Sequence, residues 1–291
     1  MRAPLILIFI GLLFGGLASA QSPNCTAETI TLPPKLDEGW GISGLIHDGA
    51  QFYMIAERRG IIFGLTPQGE DLHTWDISDQ LPRKYELEAI TLYRDRFFFT
   101  DESKRGKGRI FYSNRAFSQV RRVKVDRKLR KLTGSTGMEG IAFNAAAQRC
   151  YLVREKNGEG ASEIYSFSVT TDENGQVRFH FLNRTTLPHR DPKLRVPDVY
   201  YDATVNRLYA IRARRGVYQI TYLTPDPDSG ALPERAELNV LCTIDEADMD
   251  GYASNLEGIF VAGNTVYLVS DNQYGRTYQG KTGFFRTELP E

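Results

Sequence analysis

Four acidic residues, Glu88, Glu139, Asp198 and Glu257, each stand one place before Ala89, Gly140, Val199 or Gly258 at the head of an apolar run. Ser43 stands in the same place before Gly44. A second set of acids, Glu57, Asp101 with Glu102, Glu155 and Asp271, closes the run that follows. Carboxylates brought to one place can do two kinds of chemistry. They can hold a hard divalent cation, since Ca²⁺ takes several oxygen ligands at ~2.3–2.6 Å. They can also move protons, because crowding raises their pKa values unless a cation or an arginine compensates. Arginines lie in the same stretches: Arg58, Arg59, Arg154, Arg212, Arg214 and Arg215. The expected site therefore has Glu88 and Glu139 as catalytic carboxylates. Glu88, Glu139, Asp198, Glu257 and Asp271 are its metal ligands, with Ca²⁺ the cation, and Ser43, Arg58, Arg154, Asp198, Arg212 and Asn272 are its binding residues. The competing reading is that each acid caps its own turn or pairs locally with arginine.

The elements that must position these residues are hairpins. Asn255 to Asn272 reads NLEGIFVAGNTVYLVSDN: an acid before glycine, an apolar run, a Gly263-Asn264 turn, and a second run ending in Ser270-Asp271-Asn272. Side-chain alternation marks the runs as strands, and Gly-Asn marks a tight turn. The same plan starts near Gly41, Leu87, Gly137 and Val196, and the equivalent positions Gly44, Ala89, Gly140, Val199 and Gly258 are 45, 51, 59 and 59 residues apart. Repeats of this period belong to solenoids, propellers or arrays. About four strands fit in each, the number in a propeller blade. The expected fold is an all-β propeller of five blades, or six if a longer spacing hides a degenerate blade. An N-terminal strand, Ala27 to Leu32, would complete the last sheet and close the ring. A turn at Arg94-Asp95 pairs Glu88 with Asp101, and a turn at Gly263-Asn264 pairs Glu257 with Ser270, so all the acids fall at one end of the central channel. The fourth strand of the second repeat is expected over Gln119 to Val125, and a short helical turn over Asp245 to Met249.

In order along the chain, Ser43-Gly44-Leu45, Glu88-Ala89-Ile90, Gly137-Met138-Glu139-Gly140, Pro197-Asp198 and Asn255-Leu256-Glu257-Gly258 with Ser270-Asp271-Asn272 resemble the motifs of the phytase-like propeller family known as "esterase-like activity of phytase". The resemblance implies a propeller and, from the family's name, hydrolysis of esters or phosphate esters. Ala89, Met138 and Pro197 depart from the glycine, aromatic and serine usual at those places. No catalytic assignment carries over residue by residue, and fold alone does not fix function.

The first residues read as an export signal: Arg2, an apolar stretch from Leu5 to Leu17, and a small-residue cleavage site at Ala18-Ser19-Ala20. The mature propeller is then residues 21–291, in a periplasmic or extracellular compartment. That compartment favours disulfides. Of three cysteines, Cys150 lies in a strand and reads as a buried hydrophobe, while Cys25 with Cys242 is the candidate pair; three free thiols is the alternative. With 36 basic and 36 acidic residues, nothing argues for nucleic acid, and no mature stretch is long and apolar enough to span a membrane. A small-molecule or polymeric anionic substrate fits the arginines. So does a non-catalytic module that binds a glycan, peptide or envelope protein.

Overall fold

The computed structural model describes residues 22–37, 40–102, 108–126, 138–157, 159–189, 191–214, 216–249, 252, 255–271 and 281–290; the stretch expected as an export signal, Arg215 and Asn272 lie outside them. After a two-residue strand β1 (Glu28–Thr29), the first sheet runs β2 (Ile42–His47), β3 (Phe52–Ala56), β4 (Ile61–Leu65) and β5 (Asp71–Asp76). The second is β6 (Leu87–Tyr93), β7 (Arg96–Asp101), β8 (Arg109–Asn114) and β9 (Val120–Arg122). A short β10 (Lys124–Val125) leads to the third, β11 (Ile141–Asn144), β12 (Arg149–Arg154), β13 (Ser162–Thr171) and β14 (Val177–Leu187). The fourth is β15 (Val199–Asp202), β16 (Arg207–Arg214), β17 (Val217–Leu223) and β18 (Asn239–Asp245), and the fifth is β19 (Leu256–Ala262), β20 (Thr265–Ser270) and β21 (Phe284–Glu288) with β1 on its outer edge. The first strands β2, β6, β11, β15 and β19 stand side by side in a closed circle. The fold is a five-bladed β-propeller.

Both faces of each blade pack against neighbours, so the inner strands are apolar without alternation: all of β3 and β4 is buried. Aromatic rings fill the seams. Phe52 meets Phe260, Tyr267 and Phe284 between the first and fifth blades, and Tyr53 meets Phe97 between the first and second. Each such ring pair adds about 0.5–1.5 kcal/mol to the burial of its surface.

Three details differ from the sequence reading. The expected pairs Glu88–Asp101 and Glu257–Ser270 do not form; Leu87 faces Asp101 and Leu256 faces Ser270. Three of the five inner strands carry a bulge where the motif lies, at Ser43 in β2, before Ile90 in β6, and at Glu257 in β19. A bulge adds a residue and re-aims its side chain. The stretch expected as one strand over Gln119 to Val125 breaks at Val123, and β10 leaves its own blade to pair in parallel with β14 of the third. The N-terminal strand is only two residues long, yet it closes the ring as expected. The helical turn is found at Glu246–Met249.

The closure is a staple across two blades. The Cys25 amide donates to the Thr243 carbonyl at 2.9 Å, and the Thr243 amide to the Pro23 carbonyl at 3.0 Å, on the outer strand of the fourth blade. Three residues later β1 pairs with β21 of the fifth, Glu28 opposite Arg286. A Cys25–Cys242 disulfide locks the crossing, and Cys150 is a buried free thiol. Cys25→Ser with Cys242→Ser should lower stability by about 2–5 kcal/mol, the usual cost of removing a native disulfide. Urea unfolding with and without reductant checks this: an unchanged midpoint would remove the staple from the account.

Candidate functional site

Ring closure brings the start of each inner strand and the end of its neighbour to one end of the channel. There they enclose a cavity of about 340 Å³. Glu88, Glu139 and Glu257 reach it from inner strands, and Glu57, Glu102, Glu155 and Asp271 from second-strand ends; Arg58, Arg195 and Asn255 complete the wall. Backbone bonds fix these positions. The Glu57 amide donates to the Gly41 carbonyl at 2.7 Å, and the Glu57 carbonyl accepts from the Leu87 amide at 2.7 Å, joining the first blade to the second. The Asp271 amide donates to the Asn255 carbonyl at 2.9 Å. Thr100 ties the second blade to the third: its Oγ1 accepts from the Ala89 amide at 2.9 Å and donates to the Glu139 carbonyl at 2.6 Å.

The glycines after the acids mark where inner strands nearly touch. A Cβ at Gly44 would come within 2.6 Å of the Ile90 nitrogen, and one at Gly140 within 2.8 Å of the Asp198 Cα. The acid-glycine pair thus combines a carboxylate for the cavity with the absence of a side chain at the joint.

Carboxyl oxygens of Glu88, Glu102 and Glu139 lie within 4.8 Å of one another. The side chains of Glu88 and Glu139 have no hydrogen-bond partner or ion pair among the described residues, although Glu139 is only 8% exposed. Burial first, and then the neighbouring acids, push both carboxyls well above the usual range. Glu57 is pushed up to about 7 by burial and by Asp271, against the pull of Arg58. Glu257 is also raised to about 7 by burial, with Arg195 opposing. Arg58 pairs with Glu57 at 3.0 Å and is 41% exposed at the side chain. Arg195 pairs with Glu257 at 3.0 Å and also with Glu155 and Asn255.

Several expected residues lie elsewhere. Asp198 is 3% exposed and outside the cavity wall; its Oδ2 accepts from the Ile259 amide at 3.1 Å, so this acid ties the fourth blade to the fifth. Ser43 is buried at its bulge, also outside the wall. Arg154 pairs with Glu163 at 3.3 Å and Arg212 with Gln219 at 2.8 Å, one strand outward. Asp101 is buried against Arg109. Asn272 lies outside the described residues. The residue the sequence reading missed is Arg195. Its backbone pairs with Ala213, extending the fourth hairpin beyond Asp198, so a basic residue before that motif was the available signal.

A five-bladed propeller with an acid-lined channel mouth is the class of protein this geometry defines. The sequence profile of the phytase-like family, described as "Esterase-like activity of phytase", matches residues 40–274, and the chain belongs to that family. No curated protein matches the sequence. Among solved structures, the PQQ-bound aldose sugar dehydrogenase of Streptomyces coelicolor is similar at a TM-score of 0.51 and 11% identity, over 93% of this chain and 100% of that one. The GH43 endo-arabinanase of Bacillus licheniformis is similar at 0.47 and 13%, over 86% and 94%. At 11% identity the likeness to the dehydrogenase concerns the fold alone. No described helix is long and apolar enough to cross a membrane.

Because folding raises the pKa values of Glu57 and Glu257 to about 7, the folded chain keeps protons that the unfolded chain releases from the ordinary carboxylate range upward. Their contribution to stability is fully present below that range and is lost as pH rises through about 7. In chelator, the melting temperature should therefore fall between about pH 5 and pH 8. Glu57→Gln should flatten part of the slope; a profile unaffected by that change would refute the assignment.

Proposed function

We propose that the acidic cavity is a divalent-cation centre and that the protein hydrolyses phosphate or carboxylic esters there. The observation that carries this reading is the Glu88–Glu102–Glu139 cluster, with Glu88 and Glu139 lacking side-chain hydrogen-bond partners among the described residues and with acids crowded beyond what the two arginines of the wall neutralise. An all-carboxylate set with oxygens this close suits a hard cation such as Ca²⁺. When bound, such a cation polarises a phosphoryl or carbonyl oxygen and makes a bound water more acidic. The chain's own part is threefold. Glu88, Glu102 and Glu139 hold the cation. Glu57, with a proton affinity near neutrality, takes or gives a proton at a carboxyl oxygen. Arg58, half-open at the rim, offers charge-assisted hydrogen bonds to an anionic substrate. Membership of a family named for esterase-like activity supports the reaction class. The Cys25–Cys242 disulfide, with the export signal, supports a periplasmic or extracellular site of action.

Two measurements test this. Saturating Ca²⁺ at about 100 times its Kd should add about 2.7 kcal/mol of stability, seen as a rise in melting temperature that chelator reverses. Aryl phosphate or aryl ester turnover should require the cation and drop by roughly 10²-fold or more in Glu139→Gln. A cation-dependent shift without turnover on either ester class would favour a binding module, and the absence of any shift would dismiss the cation centre.

A further inference from the structure

The two guanidinium groups of the wall are not alike. Arg58 is a rim residue, while Arg195 is enclosed, with 18% of its side chain exposed. One edge of its fork meets both oxygens of Glu257, Nη2 to Oε1 at 3.0 Å and Nη1 to Oε2 at 3.3 Å. Nη1 also donates to Glu155 and Nη2 to Asn255 Oδ1, while Asn255 Nδ2 donates to Glu257 Oε1 at 2.6 Å. Oxygens from the end of the third blade's second strand and the start of the fifth blade's first thus converge on one positive group, brought by the segment leading into the fourth. Two carboxylates and an amide carbonyl form the oxygen set a hard cation takes. A guanidinium satisfies the same set through planar, bidentate hydrogen bonds and carries its charge permanently. Glu88 and Glu139 have no arginine so placed among the described residues.

We propose that Arg195 is a specificity-determining placeholder, a fixed internal cation that fills the Glu155–Asn255–Glu257 half of the mouth and limits the cavity to a single divalent ion at Glu88, Glu102 and Glu139. The count of one rests on the cation reading given above; the placeholder role rests on the contacts of Arg195 alone. A free ion entering the same half would meet a like charge in a partly enclosed site, where screening by solvent is weak. Removing the guanidinium leaves two enclosed carboxylates uncompensated, and a second ion from solution can then neutralise them.

The test is a count of Mn²⁺ bound per chain, by electron paramagnetic resonance of the free ion, on wild type, Arg195→Met, Arg195→Lys and the double variant Arg195→Met with Glu257→Gln. The expected counts are one ion for wild type, two for Arg195→Met, and one each for Arg195→Lys and the double variant. Two ions in wild type, or no gain in Arg195→Met, would overturn the placeholder role and leave the cation centre standing. No ion in wild type with one in Arg195→Met would support the placeholder and reject the Glu88 centre; no ion in either rejects both. If Arg195→Met is unfolded in chelator but folds as Mn²⁺ is added, the ion has replaced the guanidinium, as proposed. A variant unfolded at every Mn²⁺ concentration shows that it has not.

Discussion

The molecule is governed by crowding at its hub. Five inner strands meet so closely that glycine follows three of the motif positions, and the same convergence forces seven carboxylates and two guanidiniums around one small space. Like charges in a poorly solvated space lower each other's tendency to ionise. The fold must therefore tolerate protonated acids, bring arginine inward, or accept a cation. Glu57 shows the first, Arg195 with Glu257 shows the second, and the Glu88 cluster is left for the third.

The rest of the wheel supplies the rigidity that such crowding demands. Aromatic seams between blades resist outward relaxation, and polar bonds cross the same seams near the hub: Thr100 from the second blade to Glu139, and Asp198 from the fourth to Ile259. Bulges accompany two of the cavity acids, Glu88 in β6 and Glu257 in β19. At Glu257 the added residue falls on the acid itself, which faces the cavity. The fourth inner strand pairs regularly from Val199, and Asp198 serves the joint instead.

Much of this was legible in the sequence, for physical reasons. A blade is a local hairpin array, so its period and turns are written in neighbouring residues, and five blades closed by the N-terminal strand followed from spacing. Convergence of the acids at one mouth followed from the shared plan of the hairpins. The one-residue shift of Glu88 and Glu257 did not, because a bulge depends on how an inner strand fits the next blade and not on its own pattern. Arg195 was missed for a similar reason: it precedes its motif, and its partners come from blades that are distant in sequence. The sequence could count the acids but could not show which of them, like Asp198, are consumed by backbone amides.

The staple at the ring's outer edge bears on how the chain matures. Cys25 leaves the ribosome long before Cys242, and Cys150 appears between them. Oxidation in order of synthesis would join the first two thiols and trap the wheel open. Packing prevents this, since Cys150 lies in β12 at 0% exposure within a cluster built by the second and third blades, and becomes unreachable once those two blades pack. Correct oxidation is thus a race between the packing of neighbouring blades and thiol chemistry; the hairpins that start the packing form in microseconds where disulfides take seconds or longer.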